Sequence, residues 1–557
     1  MKTDFLGKTL SGPFTIPSGI VTCSANIIQR VFDTMPEVGV LTTKSIGPAP
    51  RLGYREPILT QYEPQHFTNA VGLTNPGADR AAELLAGLTI PADRFLLISI
   101  FGGSVAEYVE VAKKLAPYGD GLELNLSCPH AKGYGMAMGQ DPALVEEITA
   151  AVKAAVDIPV IPKLTPNVER ISEIAAAAVA GGADALCAIN TTGPERITAH
   201  GHPVLANEVG GVSGKGILAR ALACVEEIRE AVDVPIIACG GISSAEEVRR
   251  FQQAGAGIIG IGSALIGMDT AEIAAYFHAL AADLTDGGEQ AEALVRYDVD
   301  MSFRRVTLVE NRRLTDDICI LRFAEKVAVE AGQFIFLWIP GLGEKPFSAL
   351  TDDPFSLVVI NLGQFTGACL ELEPGVEAYV RGPHGKAVRP PQGSRVMAVA
   401  GGTGLAAVYQ IARDYGNCEG KDGHNAEIFM GARSAERLYF MDECAAVSRL
   451  HIATDDGSRG YHGLVTAMLE ARLQELSTEE LGSLVFYNCG PAAMVHAAEK
   501  LQRQYCPPER IFNAIDYLTK CGVGICGACD APDGRRLCVD GPFLDAADAQ
   551  KQALTAR

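Results

Sequence analysis

Over residues 1–280, short apolar, β-rich runs alternate with alanine- and glutamate-rich stretches of helical character. Strand candidates start near Phe14, Val38, Phe95, Gly121, Ile158, Ala183, Val234 and Gly257. Eight strands separated by helices predict an α/β fold of the (β/α)8 TIM-barrel kind over 1–282. The C-terminal ends of these runs carry polar or glycine residues: Ser18, Lys44, Ser99, Asn125, Lys163, Asn190, Gly240-Gly241 and Gly262-Ser263. That rim holds the active site in such barrels. Eight polar strand ends in register exceed what chance loop composition supplies.

The pattern then changes. Around Ala281–Asp300 the text turns acidic and loses its β-rich runs, which predicts a linker over 283–300. From Met301 short alternating strands with Gly and Pro turns predict a small antiparallel β-barrel over 301–392. A second α/β segment over 393–509 follows, with RVMAVAGGTGLAAVYQIA, AEIFMGARS, LHIATDDG and LVFYNCGPAAMV as its strand-bearing stretches. The last segment, 510–557, is rich in cysteine. No internal repeat or low-complexity tract interrupts this order.

Composition narrows the class. The chain has 557 residues, 48% apolar and 20% charged. That is ordinary for globular proteins and long enough for three or four domains. A formal charge of −20 disfavours nucleic acid as a partner, because its phosphates reward clustered Lys and Arg. Fifteen cysteines without a signal-like N-terminus point to a reducing cytoplasm. The greasiest stretch, near Ile171–Ile189, is broken by Glu173, Gly181-Gly182 and Asp184, so no membrane span is expected.

Candidate chemistry is sharpest in KCGVGICGACDAPDGRRLC. Cys521, Cys526 and Cys529 stand in C-x4-C-x2-C spacing with Cys538 beyond, the plant-type [2Fe–2S] pattern. Gly522, Gly524 and Gly527 let the backbone wrap so that N–H groups face anionic sulfur. A zinc ribbon normally has two C-x2-C pairs, which this spacing does not match. Such a cluster moves single electrons, so the remaining chain should hold a source and a sink.

In the first half the sharpest stretch is LELNLSCPHAKGYGMAMGQDP, after the fourth strand. Asn125 and Ser127 share one strand face, and Cys128 opens a Gly-rich loop on the rim. A thiol there can remove a carbon-bound proton if its surroundings match its pKa to the task. Cys187, Cys224 and Cys239 read instead as structural thiols. The glycine pairs at 240–241 and 262–263, with GGVSGKGI at 210–217, suit phosphate binding through backbone N–H groups. Lys44 and Lys163 can offset the charge of a reduced flavin. His66, His200 and His451 read as solvent-facing or satisfied loop residues, and no metal site apart from the cluster is expected.

NLSCP, NAVGLTNPG (69–77), NTT (190–192), GGVSG, CGGI and the closing GS resemble the class 1 dihydroorotate dehydrogenase family across most of residues 1–270. The resemblance implies an FMN barrel in which Cys128 takes the C5 proton of dihydroorotate while hydride leaves C6. It places the pyrimidine among Lys44, Asn69, Gly72, Leu73, Asn125, Asn190 and Thr191. FMN would lie among Ser18, Gly19, Lys44, Ser45, Lys163, Gly214, Gly240, Gly241, Gly262 and Ser263. One departure is His130, where the family usually has Asn; SCPH with the Gly/Met-rich loop and GQDP resembles the dihydropyrimidine dehydrogenase branch. That branch supplies an alternative substrate, uracil or thymine. A non-catalytic, pyrimidine-sensing electron-transfer flavoprotein is the alternative of another class.

EKPFSAL (344–350) and VRGPHGKAV (380–388) resemble the FAD-binding features of the ferredoxin-reductase family. The resemblance assigns Lys345, Pro346, Phe347, Ser348 and Gly367 to FAD, with Lys345 where Arg is commoner. Lysine keeps the charge but loses the bidentate phosphate fork. AGGTGLAAV, with Gly401, Gly402 and Gly404, is a strand–Gly loop–helix unit fit for a pyrophosphate. NCGPAAMV resembles the CGP-x-x-M stretch of that family, which implies that Cys489, Gly490 and Pro491 lie beside a nicotinamide. Order and content over 301–545 resemble the electron-transfer subunit of the NAD-linked class 1B enzymes, here fused to its barrel. The implied set is FMN, [2Fe–2S], FAD and NAD, in a homodimer paired through the barrel.

Overall fold

The computed structural model describes residues 1–126, 136–416, 425–515 and 518–547. The chain divides into two compact units. Of the described residues, one comprises Met1–Met301 with Val523–Arg536; the other comprises Ser302–Gly522 with Leu537–Ala547.

In the first unit eight parallel strands close into a barrel in chain order: β1 (Phe14–Ile16), β2 (Val40–Thr42), β3 (Phe95–Ile100), β4 (Gly121–Asn125), β5 (Val160–Leu164), β6 (Leu186–Ala188), β7 (Ile236–Cys239) and β8 (Ile258–Gly260). Where a strand starts later than its apolar run, proline supplies the reason at two places. Pro159 and Pro235 carry no N–H, and the ladder begins just after each. Ser24, Ser104, Asp141, Ser244 and Asp269 each accept a backbone N–H at the start of a following helix. Caps of this kind contribute about 1 kcal/mol each.

Phe95, Leu97, Ile161, Cys187, Ile237, Cys239 and Ile258 fill the barrel. Phe5 and Leu10, from the hairpin Thr3–Phe5/Lys8–Leu10, pack onto them. Each such fully buried apolar side chain contributes roughly 1.5–3 kcal/mol. Two insertions leave the C-terminal ends of β2 and β6. They pair as a four-stranded antiparallel sheet in the order Thr192–Glu195, Gly210–Gly214, His66–Asn69, Leu59–Glu63. This sheet stands at the barrel mouth.

The acidic stretch 283–300, expected as a linker, is folded against the barrel. The buried Asp283 carboxylate accepts the Ala291 N–H at 2.8 Å, Arg249 donates to the Asp283 carbonyl at 2.7 Å, and Gln65 donates to the Arg296 carbonyl at 2.9 Å. Its low hydrophobicity hides these contacts from a sequence reading.

The second unit holds two sheets. The first is antiparallel: β9 (Arg304–Thr315), β10 (Ile318–Phe323), β11 (Phe334–Ile339), β12 (Gly343–Phe347), β13 (Ala349–Asp352), β14 (Phe355–Ile360) and β15 (Glu377–His384), in the order β12-β11-β15-β9-β10-β14-β13. The second is parallel over β16 (Arg395–Gly401), β17 (Ala426–Ala432), β18 (Arg449–Thr454), β19 (Leu484–Gly490) and β20 (Ile511–Ile515), in the order β18-β17-β16-β19-β20. Ile318, Ile320, Leu350 and Val358 of the first share one core with Leu405, Val408 and Ile411 on the helix after β16. Among the described residues no helix is long and apolar enough to cross a membrane.

Candidate active site and electron-transfer sites

Polar side chains at the strand ends of the first unit form one connected chain. Ser45, just past β2, lies 3.1 Å from Ser18 after β1 and 2.9 Å from Ser99 on β3, oxygen to oxygen. Asn125, ending β4, donates to Ser45 at 2.9 Å and accepts from Asn190, after β6, at 3.3 Å. The Thr191 N–H donates to the Asn190 side-chain oxygen, Oδ1, at 2.8 Å. Tyr108 donates to the Asn125 carbonyl at 2.7 Å, holding the end of β4. Five strand ends are thus aligned by one hydrogen-bonded chain.

Asn69 ends its strand in the mouth sheet and donates to the Gly211 carbonyl at 3.3 Å. Gly72 and Leu73 follow in a loop whose anchor is the buried Asn75. The Asn75 side-chain carbonyl accepts N–H groups of Gly47 (3.2 Å) and Gly77 (2.8 Å), and its amide donates to Leu73 at 2.9 Å. Sequence reading did not single out Asn75. The signal available was an Asx residue two before a glycine, the side-chain turn former.

Lys44 is half-buried at the end of β2, and Lys163 is buried within β5. Beneath Lys163, the buried Glu123 carboxylate of β4 stands 3.8 Å from its ammonium. Burial works to neutralise Lys163, but Glu123 and the Cys187 and Cys239 sulfurs outweigh it and hold the lysine above its ordinary value. Glu123 was missed, although an acid on the inward face of a barrel strand is itself the signal. The Cys187 and Cys239 sulfurs are 3.9 Å apart, and that hydrogen bond together with burial pushes Cys187 up.

Gly19, Gly214, Gly240, Gly241, Gly262 and Ser263 all lie just past or at strand ends on this rim. Gly241 has φ +74°, and a Cβ on it would stand 2.5 Å from the Gly214 carbonyl oxygen. Nothing lies within 4 Å of the Cβ position of Gly19, which leaves room beside Ser18. Backbone N–H groups around glycine, two lysines and open space fit a flavin phosphate and ring. Cys128, with Ser127 and His130, lies outside the described residues.

In the second unit Lys345, Pro346 and Phe347 lie on β12 with Ser348 next, and Gly367 sits in the helix Gln364–Leu370. Gly401 ends β16, Gly402 follows, and Gly404 opens the helix Gly404–Tyr415. Cys489 and Gly490 end β19, and Pro491 precedes the helix Ala492–Gln502. β16 and β19 are neighbours with Ala400 opposite Cys489, and the strand order reverses between them. Open parallel sheets bind nucleotides in that crevice. A Cβ on Gly404 would overlap the Cys489 carbonyl, so the two loops approach backbone to backbone. Tyr439 fixes the first loop by donating to the Gly402 carbonyl at 2.9 Å. This arrangement fits a dinucleotide.

Cys521, Cys526, Cys529 and Cys538 are all buried, and four cysteine sulfurs are the donor chemistry an iron–sulfur cluster needs. Cys526 and Cys529 lie in the stretch that belongs to the barrel unit. There Val21 donates to the Ile525 carbonyl at 2.7 Å, Gly267 to the Val523 carbonyl at 3.0 Å, and Arg536 to the Met268 carbonyl at 3.1 Å. Cys521 belongs to the second unit, where Arg381 donates to its carbonyl at 2.9 Å. His384, beside Arg381, is neutral: burial and then the arginine charge lower its pKa to about 3.

His451 departs from its expected place in a loop. It lies on β18, half-buried, stacked on Phe429 and 2.7 Å from the Glu427 carboxylate. His66 is likewise on a strand, with its Nδ1 2.8 Å from the Pro64 carbonyl oxygen.

A family model described as dihydroorotate dehydrogenase matches residues 1–281, just over half of the 557. The chain belongs to the dihydroorotate dehydrogenase family. A model of the oxidoreductase NAD-binding domain matches 398–500, and one for the iron–sulfur cluster binding domain of dihydroorotate dehydrogenase B matches 518–549. The chain is 42% identical over 266 residues to a Pyrococcus horikoshii protein named dihydroorotate dehydrogenase B (NAD(+)), catalytic subunit, covering 48% of this chain and 86% of that protein. Proteins of the same name from Methanocaldococcus jannaschii and Thermococcus kodakarensis are 42% identical over 267 residues and 44% over 228. Those matches cover 47% and 41% of this chain, and 86% and 74% of those proteins. The dehydrogenase barrel, NAD-binding domain and cluster domain thus occupy one polypeptide, the arrangement of a fused class 1B member. It is an oxidoreductase, and its cofactor set is FMN, FAD, [2Fe–2S] and NAD.

Proposed function

We propose that the chain oxidises dihydroorotate to orotate in pyrimidine biosynthesis, the electrons passing from FMN through the [2Fe–2S] cluster and FAD to NAD+. The observation that carries this reading is the co-occurrence, in one chain, of a dehydrogenase barrel, a nucleotide crevice between β16 and β19, and an iron–sulfur domain. When bound, FMN supplies a hydride acceptor for C6 of the substrate.

The protein's own part is positioning and proton transfer. Cys128 takes the C5 proton. Asn69, Gly72, Leu73, Asn125, Asn190 and Thr191 hold the pyrimidine, and the Ser18–Ser45–Asn125–Asn190 chain keeps the amides in place. Lys44 and the buried, protonated Lys163 offset negative charge on the flavin ring; Ser18, Gly19, Ser45, Gly214, Gly240, Gly241, Gly262 and Ser263 complete its cradle. Lys345, Pro346, Phe347, Ser348 and Gly367 hold FAD, while Gly401, Gly402, Gly404, Cys489, Gly490 and Pro491 hold NAD. Cys521, Cys526, Cys529 and Cys538 are the cluster ligands. The functional segments are 1–282, 301–392, 393–509 and 510–557, in a cytoplasmic homodimer. A site built for the C6 carboxylate rejects the neutral dihydrouracil strongly.

Cys128→Ala tests the assignment. It is expected to abolish flavin bleaching by dihydroorotate while NADH still reduces FAD and the cluster; full dihydroorotate activity in the variant removes Cys128 as the base.

A further inference from the structure

Arg381, on β15, is fully buried, and its guanidinium serves two masters in the second unit. Nε and Nη2 donate to the two carboxylate oxygens of Glu344, on β12, at 2.9 and 2.6 Å. Nη1 donates to the Cys521 carbonyl at 2.9 Å and lies 3.2 Å from His384 Nε2. The guanidinium carbon sits 4.0 Å from the centroid of the Phe336 ring. Phe336 and His384 also wall the next residue: a Cβ on Gly522 would stand 2.8 Å from Phe336 Cε2.

Fold stability alone does not account for this arrangement, because a buried ion pair gains little over an apolar pair of equal volume. Geometry does more. Glu344 takes one edge of the planar fork in a bidentate grip, which leaves Nη1 aimed at Cys521. The cationic end of the pair therefore faces the cysteine, and the carboxylate lies on the far side. Glu344 and Arg381 belong to EKPFSAL and VRGPHGKAV, the two stretches read as FAD-binding, so one network joins that region to Cys521.

We propose that Arg381 is a positioning residue for the iron–sulfur cluster, fixing the backbone of its first ligand and raising its reduction potential through the charge it turns toward that ligand. The inference rests on Cys521 being a cluster ligand. A fixed positive charge favours the more negative, reduced state of the cluster, and hydrogen bonding and charge around the ligands tune such potentials. Glu344 holds the guanidinium in that orientation.

The experiment is an EPR-monitored redox titration of the full chain, with iron and acid-labile sulfide assayed on the same samples. In R381M/E344Q, which removes both charges, the reduced-to-oxidised ratio at fixed poise is expected to fall about tenfold, equivalent to a midpoint about 59 mV lower for a one-electron couple. Arg381→Lys keeps the charge but cannot span Glu344 and Cys521; it should recover most of the midpoint with an altered EPR line shape. A double variant that retains its cluster at the wild-type midpoint overturns the proposal. Should the double variant lose its cluster, Arg381→Lys decides, and wild-type line shape and midpoint together overturn it. Absence of iron and sulfide from the wild-type chain is a separate result, refuting the ligand assignment before any variant is made.

Discussion

Replacing Glu123 by glutamine should turn Lys163 from a permanent cation into a titrating group. The ammonium and carboxylate are 3.8 Å apart and both are buried. At an effective dielectric of about 20, unit charges at that distance attract by about 4 kcal/mol, or about a thousandfold in the protonation equilibrium of the lysine. Desolvation, the largest influence on Lys163, already acts against the charge, so losing Glu123 leaves only the Cys187 and Cys239 sulfurs to oppose it. A lysine held above its ordinary value gives stability that is whole below that value and lost as pH rises through the folded one. Wild-type Tm should therefore fall only above about pH 10, whereas the variant has lost that contribution at neutral pH. The assay is anaerobic stopped-flow bleaching of the flavin by dihydroorotate across pH. Glu123→Gln should match wild type at low pH and acquire an alkaline limb that wild type lacks. Superimposable pH profiles for the two proteins would refute the reasoning.

Three further outcomes follow from the same geometry. Gly241→Ala places a methyl 2.5 Å from the Gly214 carbonyl at φ +74°. It should cost at least about 1 kcal/mol and lower the FMN content of the purified protein. Gly404→Ala pushes apart the loops after β16 and β19; NAD+ reduction should fall while dihydroorotate still bleaches the flavin, measured with an artificial acceptor. For Glu427, desolvation raises the pKa, but His451, Arg472 and Arg395 together bring it down to about 2. Its stabilisation is present above the ordinary carboxylate value and lost as pH falls from about 4.3 toward 2. Glu427→Gln should flatten acid denaturation in that window and cost about 1.5–3 kcal/mol at neutral pH, because the half-buried Arg395 and Arg472 lose a charged hydrogen-bond partner.

Much of this architecture is legible in the chain itself. Barrel strands are buried on both sides and so read as apolar runs, and their polar ends mark the rim. Cysteine spacing and glycine-rich turns report local backbone demands that no distant residue can supply. What escaped the sequence depends on pairing across the fold. Glu123 meets Lys163 only because β4 and β5 are neighbours, and Arg381 meets Cys521 across 140 residues. His451 reads by residue type as solvent-facing or a satisfied loop residue, yet β18 carries it against Phe429 and Glu427. The stretch 283–300 was expected as a linker because its acidity hides a buried Asp283 that ties it down.

Substrate-dependent NAD+ reduction by the purified chain, with dihydroorotate and dihydrouracil compared side by side, tests the central claim most directly. The account predicts NADH formed in step with orotate from dihydroorotate, and essentially none from dihydrouracil. NADH driven by dihydrouracil, or orotate formed with no NADH at all, would contradict it.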